Sequence, residues 1–223
     1  MGSRLLEVPS GAADMVLAAE MALPGNAPTR NQTALALLVE RATAGDTAAF
    51  EQIMIHSQQR VMAMSWRILG NEADARDASQ EVFLRVYKYL GRFKQDQDFF
   101  AWVYRITVNV CRDVLKKRQH ESDRFGSFAA DSSEEVLKIP FEQVDAEQTL
   151  LQAQRRELIS RAIATLPFKE RASIVLREVE GLSTDEVARV LKSSSTTVRS
   201  QISSARRKIR DYCRRNLKVG QAS

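Results

Sequence analysis

Thr196, Thr197, Arg199, Ser200 and Ser203 set hydroxyl groups and a guanidinium along one short stretch, and Arg206, Arg207, Lys208, Arg210, Arg214 and Arg215 follow it. Hydroxyl and guanidinium groups hydrogen-bond to base edges, while a run of cations neutralises phosphates with release of counterions. The chemistry on offer is recognition of a polyanion. Groups for making and breaking bonds are scarce. The histidines are His56 and His120, and His120-Glu121 lacks the second His of a zinc-protease helix. Cys111 and Cys213 lie far apart, without the paired spacing of a zinc or redox motif, and read as reduced structural thiols. There is no Gly-rich loop ending in Gly-Lys-Ser/Thr. An enzyme is therefore not expected, and neither is a metal or cofactor.

Two helices must position the polar stretch. Ser183-Thr184-Asp185-Glu186 has the form of a capping box, in which each side chain satisfies an exposed amide at a helix start. The helix beginning there turns Val187, Val190 and Leu191 inward. A second start falls at Ser194 or Ser195, and the helix after it buries Val198, Ile202, Ala205 and Ile209 at three- and four-residue steps. Two capped helices with a short connection make a helix-turn-helix, whose second helix fits the major groove with its early residues at base edges.

The remainder is helical too. The 223 residues are 44% hydrophobic, enough for real cores, and carry a formal net charge of +5 with a pI near 9.4, which favours an acidic partner. No apolar run approaches the roughly 20 residues needed to cross a bilayer, so no membrane insertion and a cytoplasmic location are expected. Met1-Gly2-Ser3 does not complete a myristoylation signal, because Leu6 stands where Ser or Thr is required. Residues 1–34 form an extension broken by Pro9, Gly11, Pro24, Gly25 and Pro28. Residues 35–118 read as a helical bundle, with helices over Glu72 to Leu90 and Phe99 to Arg118. Residues 119–146 form an acidic linker, 147–217 a second helical domain and 218–223 a tail. The expected fold class is all-α: two helical domains joined by the acidic linker.

Asp77-Ala78-Ser79-Gln80-Glu81-Val82-Phe83 resembles the polymerase-binding signature of extracytoplasmic-function sigma factors, the two-domain group of the sigma-70 family. Phe99-Phe100-Ala101-Trp102-Val103-Tyr104-Arg105-Ile106, with Asn109, Asp113 and Lys116-Lys117-Arg118, is similar to that family's promoter-melting and minus-ten-reading helix. Gly181 to Arg207 is similar to its minus-thirty-five-reading helix-turn-helix. The resemblance implies a sigma region 2 bundle followed by a sigma region 4 helix-turn-helix. It implies that Asp77, Gln80, Glu81 and Phe83 meet the clamp helices of the largest subunit of core RNA polymerase. It also implies that Trp102, Tyr104, Arg105, Asn109, Lys116, Lys117 and Arg118 handle minus-ten and melted promoter DNA. The double-stranded minus-thirty-five element would fall to Thr196, Thr197, Arg199, Ser200, Ser203, Arg206 and Arg207. An anti-sigma factor is implied as a partner, and the acidic linker would thread toward the RNA exit path.

Aromatic rings beside cations suit unpaired bases, since stacking contributes roughly 1–3 kcal/mol per base. The competing role for Phe99, Phe100, Trp102 and Ile106 is core packing, and for Phe99 and Ile106 core is the favoured reading. The chain departs from the family at Lys192-Ser193-Ser194, where the turn usually reads Gly-hydrophobic-Ser. It departs again at Gln201 and Ser204, where an Arg and a further basic or polar residue are common, which implies a weaker or altered upstream element. A helix-turn-helix repressor or activator would fit the C-terminal half alone but leaves the Asp-x-x-Gln-Glu-x-Phe helix unexplained. A helical scaffold that binds only protein is the third reading, and salt-dependent DNA binding separates it.

Overall fold

The computed structural model describes residues 30–94, 97–125 and 146–219, and among these every regular element is helical. The expected extension lies almost wholly outside the described residues, as do most of the acidic linker and the last residues of the tail. The first half comprises α1 (Arg30–Thr43), α2 (Thr47–Leu69), α3 (Glu72–Tyr89) and α4 (Phe99–Phe125). The second comprises α5 (Ala146–Ala164), α6 (Phe168–Ile174), a π-helical segment (Val175–Val179), α7 (Thr184–Leu191) and α8 (Ser195–Val219).

Local chemistry sets most of these boundaries. Asp46 caps α2 by accepting from the Ala49 amide at 3.0 Å, and Arg41 holds the same carboxylate at 2.7 Å. Helix α2 ends at Gly70, whose φ of 80° is the left-handed conformation that a side chain disfavours. Asn71 then caps α3 by accepting from the Asp74 amide at 2.8 Å. Helix α3 stops at Tyr89, and Leu90–Arg92 tighten into a 3-10 turn. Asp98 starts α4 by accepting from the Ala101 amide at 2.7 Å. That helix continues past Arg118 to Phe125, so Glu121 and Asp123 extend it where a linker was expected. Lys117 and Glu121, 3.8 Å apart at an i,i+4 spacing, favour the extra turn.

Ile53, Val61, Met64 and Ile68 of α2 meet Val82 and Val86 of α3 and Val103 and Val108 of α4 in a fully buried core. Each such side chain contributes on the order of 1.5–3 kcal/mol by leaving water. In the second half Leu166, Ile174, Leu176 and Ile209 play this part. Cys111 is buried among apolar neighbours, and burial pushes its thiol up to about 12. It is a core residue with no thiolate to offer at neutral pH.

The halves also pack on each other: α7 lies against α4, while α5, α6 and the π segment lie against α2. Buried residues of both halves belong to one connected apolar cluster.

Candidate nucleic-acid interface

The capping box at Ser183 is complete. Ser183 Oγ accepts from the Glu186 amide at 3.3 Å, and Glu186 accepts from the Ser183 amide at 2.7 Å. These bonds hold the Glu186 carboxyl below its ordinary range. Helix α7 buries Val187, Ala188 and Val190, then ends at Lys192, which adopts φ 50° and ψ 51°. Ser194 accepts from the Thr197 amide at 3.1 Å and opens α8, while Ser195 Oγ donates to Asp185 at 2.5 Å and ties the two helix starts together. Val198, Ile202, Ala205 and Ile209 all face inward, as their spacing predicts.

Burying that stripe leaves Thr196, Thr197, Arg199, Ser200, Ser203 and Arg207 exposed on one polar face. An open cavity of about 420 Å³ runs along it, lined by Arg199, Ser203 and Arg206 of α8 with Arg210 further along. Arg177 of the π segment and Thr184 of α7 complete the wall. Arg210 belongs to the run of cations already legible in the sequence, whereas periodicity does not bring Arg177 or Thr184 to this edge, because only the fold brings three elements together there. Arg177 is held there by donating to the Leu182 carbonyl at 3.1 Å.

On the other half, Asp77 and Gln80 are exposed on α3, and Glu81 is half-buried. Glu81 accepts from Arg85 at 2.6 Å, and Arg85 also reaches Asp113 of α4 at 3.1 Å. Phe83 is only 9% exposed and packs in the core, behind the face on which Asp77 and Gln80 stand. The exposed apolar groups of α3 are Leu84 and Tyr87, at 66% and 60%.

The minus-ten candidates on α4 are divided. Lys116, Lys117 and Arg118 are exposed, and Arg118 pairs with Asp74 at 2.5 Å. Trp102 and Arg105 are half-buried, Trp102 with its ring centroid 5.3 Å from Phe93 and 5.9 Å from Phe99. Asn109 accepts a long hydrogen bond from Arg112 at 3.4 Å. Tyr104 is 2% exposed, and its hydroxyl donates to Glu180 of the second half at 2.5 Å. Phe99 is buried, as the core reading expected, and Ile106 is half-buried against the same cluster.

Residues 54–121 match the family model described as Sigma-70 region 2, and residues 156–209 match Sigma-70, region 4. The RNA polymerase sigma-H factor of Pseudomonas aeruginosa is 31% identical over 179 residues, covering 77% of this chain and 90% of that protein. The ECF RNA polymerase sigma-E factor of Escherichia coli K12 is 34% identical over 177 residues, 78% of this chain and 91% of that one. The chain belongs to the sigma-70 family, in its extracytoplasmic-function group. That family comprises transcription initiation factors.

Solved structures agree on the fold of this sigma-70 family chain. CnrH, in complex with the cytosolic domain of CnrY, aligns with a TM-score of 0.55 at 25% identity over 85% of this chain and 99% of that one. The sigma factor RpoE of Bartonella quintana, in complex with the anti-sigma factor NepR, aligns at 0.59 and 19% identity over 74% and 96%. Region 2 is thus the α2–α4 bundle and region 4 the α5–α8 helix-turn-helix domain. No helix among the described residues is long and apolar enough to cross a membrane.

Region 4 also explains two departures from the family pattern. Gln201 accepts from the buried Ser173 at 2.8 Å, and Ser204 donates to Glu170 at 3.1 Å. Both side chains face α6, so they brace the recognition helix from behind and take nothing from its exposed polar face.

Proposed function

We propose that this chain joins core RNA polymerase, recognises the minus-thirty-five and minus-ten elements of a promoter, and promotes strand separation at the start of transcription. The observation that carries the reading is the exposed row Thr196, Thr197, Arg199, Ser200 and Ser203 on a capped helix-turn-helix. It shares a chain with a region 2 bundle whose α3 presents Asp77, Gln80 and Leu84 to solvent.

In this mechanism α8 enters the major groove, with Arg199 and its neighbours at base edges and Arg206, Arg207 and Arg210 at phosphates. Exposed Lys116 and Lys117 hold the backbone near the minus-ten element, with Arg118 once it leaves Asp74. Trp102 and Tyr104 supply rings on which unpaired bases stack, at roughly 1–3 kcal/mol per base, and Arg105 and Asn109 flank them. Asp77, Gln80 and Glu81 meet the clamp helices of the largest polymerase subunit, and Phe83 fixes the helix from within. The protein contributes binding energy and position, while bond formation belongs to the polymerase. These partners place it in the cytoplasm. RpoE was solved with an anti-sigma factor, which supports an inhibitor of that kind here, and the acidic linker is read as lying toward the RNA exit path.

The test is transcription by purified core polymerase plus this protein on a genomic fragment library, with start sites mapped. New starts sharing two spaced sequence elements are expected. A purified chain that neither joins core polymerase nor creates starts would sink the reading.

A further inference from the structure

The seam between regions 2 and 4 is built around polar groups. Glu180, directly after the π segment, accepts from Tyr104 and lies beside Arg67 of α2, which attracts its carboxylate. The five-residue pitch of the π segment sets Glu180 in place, its amide donating to the Val175 carbonyl at 3.1 Å. Arg60, also on α2, stands over the Phe100 ring at 4.8 Å and within the field of the same carboxylate. A few residues away Arg171 of α6 donates to the Ile68 carbonyl at 2.6 Å, and to the Ala164 and Leu166 carbonyls at the end of α5. One guanidinium thereby closes helix ends from both domains. Arg112 of α4 lies over the Phe168 ring at 5.4 Å.

This seam covers the α4 face on which Tyr104 stands, yet it leaves the base-reading row of α8 exposed. Tyr104 cannot stack on an unpaired base and donate to Glu180 from the same position. Burial also works against the charges in the seam: it pulls Arg67 below its ordinary value and pushes Glu180 above its own, despite their attraction. Among the described residues Arg67 Nη1 and Glu180 Oε1 find no hydrogen-bond partner. An apolar seam of the same shape would be harder to open.

We propose that region 4 is docked on region 2 as a built-in latch, with Glu180 holding Tyr104, and that the chain must open there before the minus-ten face of α4 can take melted DNA. The latch deepens the initiation reading and rests on it. Docking divides the two DNA contacts: duplex recognition by α8 is available in the closed form, and single-strand capture by α4 is not. A closed population of about nine in ten lowers the apparent affinity for a minus-ten single strand about ten-fold.

A reversible lock tests this directly. A Cβ placed on Gly70 lies 4.0 Å from the Cβ of Ala164, across the seam, within the roughly 3.5–4.5 Å that a disulfide spans. The double variant Gly70→Cys, Ala164→Cys should crosslink under mild oxidant, while the unaltered chain, with buried Cys111, should not close on itself. The left-handed backbone at Gly70 strains the cysteine equally in both redox forms, so the comparison between them is clean. With core polymerase, the oxidised variant should start transcription at least about ten-fold less than the same sample after reduction. Equal transcription in both forms would overturn the latch, and so would failure of the bond to form.

Transcription by neither form, with the unaltered chain also inactive, strikes the initiation reading instead. Small-angle scattering then decides the docking by itself. A reduced chain as compact as the oxidised one, and expanded by Glu180→Ala, supports it; a reduced chain already expanded overturns it.

Discussion

Arg206 of the recognition helix donates to Glu178 of the π segment at 2.6 Å. A cation on the DNA-facing edge is thereby partly neutralised from within, whereas Arg199 and Arg207 make no ion pair among the described residues. The pair ties α8 to the π segment and holds part of its positive charge in check. Removing the carboxylate charge with Glu178→Gln should free Arg206 for a phosphate. Affinity for promoter-length duplex should rise, and the salt slope should steepen by about one. Anisotropy titrations at several salt concentrations measure both, and an unchanged slope would show that Arg206 touches no phosphate.

Arg199 stands outside that pairing, exposed one turn into α8. Arg199→Ala should cost roughly 1–3 kcal/mol on the preferred minus-thirty-five sequence and much less on unrelated duplex, if its guanidinium reads a base edge. Competition titrations against single-base variants of the element locate the base. The same loss on every sequence would make it a phosphate contact.

Helix periodicity, turn residues and the capping box were enough to place the starts of α3, α4, α7 and α8, because each start is written in local chemistry: Asn71, Asp98, Ser183 and Ser194 all cap through their own side chains, whereas α4 runs seven residues past the expected Arg118, to Phe125. What sequence could not supply is which side of a helix faces another domain. Tyr104 reads as an exposed ring from its position beside Arg105, yet its burial depends on Glu180, far along the chain. Gln201 and Ser204 read as lost DNA contacts, although their partners Ser173 and Glu170 on α6 turn them inward. The π segment leaves no periodic trace, since five residues of apolar and charged types fit an α-helix equally well.

Phe83 and Leu84 are neighbours with opposite exposure, at 9% and 66%. Phe83→Ala should therefore act through the fold, at about 3–5 kcal/mol of unfolding free energy. Leu84→Ala should leave stability within about 0.5 kcal/mol and weaken binding to core polymerase by about 1 kcal/mol or more. Denaturant unfolding and a polymerase binding titration separate the two. Unaltered polymerase affinity in Leu84→Ala would remove this part of α3 from the contact.

The capping box gives region 4 an acid-sensitive edge. The Glu186 carboxyl, ordinarily near 4.5, is held lower by the Ser183 hydroxyl and amide. A carboxyl with a depressed folded-state value contributes fully above its unfolded value and loses that contribution as pH falls through the folded one. Ser183→Ala should cost about 1 kcal/mol at neutral pH, and the gap between it and the unaltered chain should narrow on acidification below about 4.5. Thermal unfolding over a pH series measures this, and a gap that widens toward acid would contradict the assignment.

Lys192 occupies the turn position where the family pattern has glycine, and it holds a left-handed backbone at φ 50°. Its amide still closes α7 on the Ala188 and Arg189 carbonyls, and the Ser193 amide donates to the Ala188 carbonyl at 2.9 Å, so the turn is formed in spite of its sequence. A lysine in that region costs on the order of 1–3 kcal/mol, partly offset because glycine would loosen the unfolded chain by about 0.4–1 kcal/mol. Lys192→Gly should therefore raise stability by about 1 kcal/mol, whereas Lys192→Ala, which keeps a Cβ, should bring no such gain. Chemical unfolding of both variants decides the point. If alanine stabilised the domain as much as glycine, removal of the lysine side chain, and not relief of the left-handed backbone, would be the cause.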